Sequence, residues 1–145
     1  MRVRDLLDIK GRIVHLVTTD ATIAMAVARM HDDNIHSLVV MDGDSIAGIF
    51  TERDVLAALN DHGASALDCA VGACMTRKPY LCDENATLEQ AERQLIALGV
   101  RHFPVVRGER LVGVVTLRDV LQRHLTEVDT LADDLRNYIM SSYPG

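Results

Sequence analysis

Gly48-Ile49-Phe50-Thr51-Glu52-Arg53-Asp54-Val55-Leu56 returns 65 residues later as Gly113-Val114-Val115-Thr116-Leu117-Arg118-Asp119-Val120-Leu121. Upstream, the same ungapped diagonal lays Ala21-Thr22 over Ala86-Thr87, Ala26 over Ala91, Val40 over Val105 and Gly43 over Gly108. It also lays the opening Leu6-Leu7-Asp8-Ile9 over Val71-Gly72-Ala73-Cys74. One diagonal carrying so many identities marks a tandem duplication.

Each copy reads as β-α-β-β-α. A short extended piece comes first, Ile13 to Val17 and then Tyr80 to Cys82. Asp20 and Asn85 are candidate caps for the helix that follows. Ile23, Ala26, Val27 and Met30 recur at helical spacing in copy one, and Leu88, Ala91, Leu95 and Leu98 in copy two. Asn34 and Gly99 are placed to stop those helices. Two apolar runs then flank Asp42-Gly43-Asp44, and two more flank Arg107-Gly108-Glu109, the pattern of a hairpin. Closing helices are expected from Glu52 and from Leu117. The fold class is therefore α+β. Two repeats, 1–60 and 71–125, are joined by a linker at 61–70 and pack about a pseudo-twofold axis. Residues 126–145 follow as a C-terminal helical tail, with Val128, Leu131, Leu135 and Ile139 at helical spacing.

Composition narrows the function. Of the 145 residues, 48% are hydrophobic and 25% charged, ordinary values for a chain with an aliphatic core. The net charge of −6 and the absence of Trp argue against a nucleic-acid binder, which needs a basic face or stacking rings. No secretory signal and no membrane-spanning apolar stretch is read, and a cytoplasmic location is expected. Cys69, Cys74 and Cys82 read as thiols of a reducing compartment. With His62 they match no metal-ligand spacing, so no metal site is expected.

The duplicated Gly-aliphatic-aliphatic-Thr-x-Arg-Asp holds the chemistry. Thr-x-x-Asp is the pattern of a capping box, which accounts for Thr51, Asp54, Thr116 and Asp119 without any ligand. Arg53 and Arg118 do not fit that account. A cation in the first helical turn opposes the macrodipole by about 0.3–1 kcal/mol. It makes sense where a phosphate sits between the guanidinium and the free N–H groups of the helix start. A neighbouring carboxylate is suited to the two hydroxyls of a ribose.

These residues, with Val100-Arg101-His102-Phe103-Pro104-Val105-Val106 and the 65-residue period, resemble a CBS-domain pair over residues 1 to 125. The resemblance implies an adenosyl ligand such as AMP, ATP, NAD or S-adenosylmethionine bound between the repeats. It implies ribose contacts from Asp54 and Asp119, with Thr51 and Thr116 beside them. Backbone near adenine would come from Ile35-His36 and Val100-Arg101-His102. It further implies a homodimer acting on a separate regulated partner, with no catalysis and no required cofactor. Copy one departs from the pattern in two places: His36-Ser37-Leu38-Val39 lacks the proline, and the opening ends in Lys10 where copy two has Met75. Those departures imply a different ligand or weaker binding in copy one. His36 and His102 lie near the expected clefts as phosphate contacts. Two other classes stay open: an interaction module with vestigial clefts, and an enzyme acting on nucleotides. The second has only His36, His102 and lone thiols to work with.

Overall fold

The computed structural model describes residues 1–77 and 79–142. Its first half runs α1 (Val3–Lys10), β1 (Leu16–Thr18), α2 (Ile23–Asp32), β2 (Ser37–Asp42), β3 (Ser45–Thr51) and α3 (Glu52–His62). A 3-10 helix (Gly63–Asp68) and the one-turn α4 (Val71–Cys74) lead into the second half. There follow β4 (Thr76–Arg77), β5 (Cys82–Asp83), α5 (Leu88–Leu98), β6 (His102–Arg107), β7 (Arg110–Thr116) and α6 (Leu117–Ser142).

Two sheets result, β1-β2-β3-β4 and β5-β6-β7. In each, the first strand lies parallel to the second across a helix, and the second and third form an antiparallel hairpin. Even the irregularity is duplicated, with register shifts at Val40/Met41 and Val105/Val106. Both hairpins turn on a glycine at positive φ, Gly43 at 59° and Gly108 at 62°.

The helix stops are where the sequence puts them: Asn34 has φ 51° and Gly99 is left-handed. The starts differ. Thr22 caps α2 by accepting from Met25 N, and Thr87 forms a capping box with Gln90. Asp20 and Asn85 are engaged elsewhere, Asp20 by Thr18 Oγ1 at 2.6 Å and Asn85 by Arg4 Nη1 at 3.0 Å. A threonine directly before the first helical residue reaches the N3 amide, and the residues two positions earlier do not.

The copies exchange their opening segments. Val3, Leu6 and Leu7 of α1 are buried in the core of the second copy, with Leu95, Phe103, Val105 and Val115. Val71 of α4 is buried in the first core, with Ile23, Leu38, Val40 and Phe50. Backbone bonds fix the exchange: Val3 N donates to Ala86 O at 2.9 Å, and Val71 N to Ala21 O at 2.7 Å. Such a reciprocal swap is what a twofold relation between the copies requires. Full burial of a Val or Leu is worth about 1.5–3 kcal/mol, so the three α1 side chains contribute on the scale of a whole domain's net stability.

The exchange also corrects the alignment of the openings. Ala21 and Ala86 are 65 apart, yet their partners Val3 and Val71 are 68 apart. Gly48 faces Met75 and Gly113 faces Leu7, so Met75 is the counterpart of Leu7 and not of Lys10. The first opening stays helical for 8 residues, whereas α4 has 4 and then gives way to β4. The second sheet therefore has one strand fewer.

The segment joining the copies is mostly helical. α3 runs to His62 and the 3-10 turn follows, with Ala66 fully buried against the first core. Gly63, Ala64 and Ser65 beside it are exposed. The expected tail has no break before it, because α6 is one helix of 26 residues. Residues 143–145 of that tail lie outside the described residues.

Candidate functional site

Each Thr-x-Arg-Asp segment joins the last strand of its sheet to the closing helix. At the first junction Thr51 N donates to Asp54 Oδ2 at 2.9 Å, and Asp54 N donates to Thr51 Oγ1 at 3.4 Å. At the second, Thr116 N donates to Asp119 Oδ2 at 2.9 Å, and Asp119 N to Thr116 Oγ1 at 3.1 Å. Both capping boxes are thus formed, and all four side chains are half-buried. Arg53 and Arg118 take no part in them. Both are exposed in the first turn and make no hydrogen bond or ion pair among the described residues.

The neighbouring strand start is tied to each junction through the backbone. Glu52 N donates to His36 O at 3.3 Å, and Leu117 N donates to Arg101 O at 2.9 Å. Ser37 pairs with Thr51 and His102 with Thr116. His36 is therefore the equivalent of Arg101, while His102 stands where copy one has Ser37. The side chains of Ile35 and Val100 pack against the cores. His36 turns its ring to Glu52, with Nδ1 2.8 Å from Oε1. Burial, then the nearby His36 and Arg101, lower the pKa of His102 from 6.5.

The exchange of openings completes each junction with a residue the sequence did not assign to it. Lys10, at the end of α1, reaches the second junction, where Nζ lies 2.5 Å from Asp119 Oδ2 and 2.7 Å from Val114 O. At the first junction the corresponding approach is made by Thr76, whose Oγ1 donates to Asp54 Oδ1 at 3.3 Å. The lysine read as a feature of copy one's cleft thus belongs to copy two's. The signal that points to it is the Val3, Leu6, Leu7 stripe, which makes the opening a helix in need of a second core.

A cavity of about 450 Å³ lies elsewhere, near the hairpin end of the first sheet, lined by Thr19, Asp42, Ala47, Gly72, Met75 and Arg77. None of the candidate ligand-binding residues lines it. Cys82 is buried and its thiol pushed up to about 11, and burial also raises Cys74. Among the described residues no cluster of three or more His, Cys, Asp or Glu is placed to hold a metal ion.

The CBS domain model matches twice, over residues 3–61 and 71–125, one match for each copy. The chain belongs to the CBS-domain family. A CBS-domain containing protein from Agrobacterium tumefaciens superposes with a TM-score of 0.82 at 36% identity, covering 86% of this chain and 99% of that one. An uncharacterized 17.7 kDa protein of Acidianus ambivalens is 33% identical over 81% of this chain and 71% of its own length. The chain spans 57–71% of the first three curated relatives it matches. A structure of CBSX2 in complex with AMP shares the CBS fold, with a TM-score of 0.71 at 24% identity over 86% of this chain and 96% of that one. No helix among the described residues is long and apolar enough to cross a membrane.

Proposed function

We propose that this CBS pair is a regulatory module that binds an adenosyl nucleotide, such as AMP, ATP or NAD, at its two junctions and catalyses no reaction. The observation that carries this reading is the pair of unpartnered guanidiniums, Arg53 and Arg118, each in the first turn of a helix it electrostatically disfavours. Capping explains the threonines and aspartates; an anion explains the arginines. The AMP in CBSX2 agrees in ligand class. The second junction adds a further cation, Lys10, beside Asp119. A bound ribose there has to share that carboxylate with the ammonium or release it toward the phosphate. The second junction is therefore the better phosphate site, with Lys10 acting there and not at the first junction. The module works in the cytoplasm as a homodimer and passes its ligand state to a separate protein.

The test is a comparison of AMP with adenosine. Arg118→Ala should weaken AMP roughly ten- to hundredfold, the worth of one charge-assisted hydrogen bond of about 1.5–3 kcal/mol, and leave adenosine unchanged. Asp119→Ala should weaken both. If Arg53→Ala and Arg118→Ala both leave AMP binding unaltered, the junctions are caps alone and the chain is an interaction module.

A further inference from the structure

We propose that the projecting half of α6 pairs with the same segment of a second copy as an antiparallel two-helix coiled coil, in one defined register. Beyond His124 the helix continues to Ser142, roughly 27 Å of chain at 1.5 Å per residue. Along it Leu125, Val128, Leu131, Leu135 and Ile139 are all exposed, and only Ala132 is half-buried. Leu121, Leu125, Val128, Ala132, Leu135 and Ile139 follow each other in alternating steps of four and three. That is the 3.5-residue repeat of a coiled-coil seam, with Leu125, Ala132 and Ile139 at a and Leu121, Val128 and Leu135 at d.

Charge selects the partner and its direction. Asp129 and Arg136 both fall at e. In an antiparallel pair e faces e, and the register that stacks Val128 on Ile139 and Ala132 on Leu135 sets Asp129 of one copy against Arg136 of the other. The twofold axis makes that contact twice. Leu131, at g, lies beside the seam and widens its apolar face. Asp133 and Asp134, at b and c, stay on the outer surface. A parallel pair would instead set Asp129 against His124, already bound to Glu92 at 2.7 Å, and Arg136 against Leu131. Asp129 has no ion pair or hydrogen bond among the described residues. Arg136 holds only an exposed contact to Asp133 at 3.1 Å, which costs little to exchange. A segment that is apolar along one side and self-complementary in charge along its flank fits a second copy of itself.

This inference deepens the homodimer part of the proposed function and rests on that part, not on the nucleotide. Its test is the dimer dissociation constant of the full chain by sedimentation, for wild type, Asp129→Arg, Arg136→Asp and their equimolar mixture. Each variant alone sets like charges opposite each other twice and should weaken the dimer about tenfold or more. The mixture restores both opposite-charge contacts and should return the constant to near the wild-type value. Both sites are exposed, and unchanged far-UV circular dichroism confirms that the variants fold. A constant that ignores the reversals, or a mixture that fails to rescue, overturns the coiled coil while leaving a dimer through another face. A wild-type chain that stays monomeric at every concentration overturns both, and AMP-dependent thermal stabilisation then reports separately on the nucleotide reading.

Discussion

Lys10→Met removes the ammonium that joins the start of the chain to the end of the last sheet. Its two bonds, to Asp119 Oδ2 at 2.5 Å and Val114 O at 2.7 Å, span more than a hundred residues of sequence. The side chains retain 30% and 18% of their exposure, so solvent still screens the pair. A fully exposed pair contributes about 0.2–1 kcal/mol, and breaking a buried one costs about 3–5 kcal/mol. Lys10→Met should accordingly lower unfolding free energy by about 1–2 kcal/mol, a fall of roughly 3–8 °C in Tm at this size. The carboxylate also caps α6, so the ion pair must be separated from the cap. A double-mutant cycle with Asp119→Asn, followed by urea unfolding, does this. The coupling between the two positions should be about 1 kcal/mol, with the denaturant slope unchanged. A coupling below about 0.3 kcal/mol would refute the crossing of α1 into the second copy as the source of that contact.

The two glycines that face the exchanged openings should not be equivalent. A Cβ at Gly48 would meet Thr76 O at 2.4 Å, a backbone atom, whereas one at Gly113 meets the Leu7 methyls at 2.8 Å. Gly48→Ala should therefore cost more than Gly113→Ala, at the upper end of the roughly 1–3 kcal/mol of overpacking; equal melting temperatures would contradict this. The histidines should give stability a maximum near neutral pH. His102 has a folded pKa below 6.5, so the unfolded chain binds more protons and stability falls as pH drops under 6.5; His102→Gln should remove that slope. His124 has a folded pKa above 6.5 through its hydrogen bond to Glu92, so its contribution is complete below 6.5 and lost as pH rises through the folded value. Urea midpoints of the wild type, His102→Gln and His124→Gln across that range would show both limbs, and a flat wild-type profile would count against both assignments.

Much of the fold could be read because its signals are local. The Thr-x-Arg-Asp segments fixed the starts of α3 and α6 at Glu52 and Leu117, and the Asp-Gly and Arg-Gly pairs fixed the hairpins. The caps at Thr22 and Thr87 were missed by two residues, because Asp20 and Asn85 are equally good cap residue types and only geometry separates them. The openings were harder. A diagonal shows which residues are equivalent but not which copy each one packs against. It also conceals a three-residue difference where identities are few. Lys10 and Thr76 could therefore not be assigned to Asp119 and Asp54, since each arrives from the other copy.

The crossing of α1 bears on how the chain is made. Leu7 packs over Gly113, so its burial waits until some hundred further residues have been synthesised. At about 5–20 residues per second that interval is roughly 5–20 s. Through it the first helix carries three large apolar side chains with no core to enter, while the first copy lacks Val71 of α4. Neither half can finish before the other has emerged. Synthesis thus exposes an apolar helix for seconds, a window in which holding chaperones or a neighbouring nascent chain compete for it. A second copy that donates its own α1 to that waiting core would yield an entangled pair in place of two separate modules.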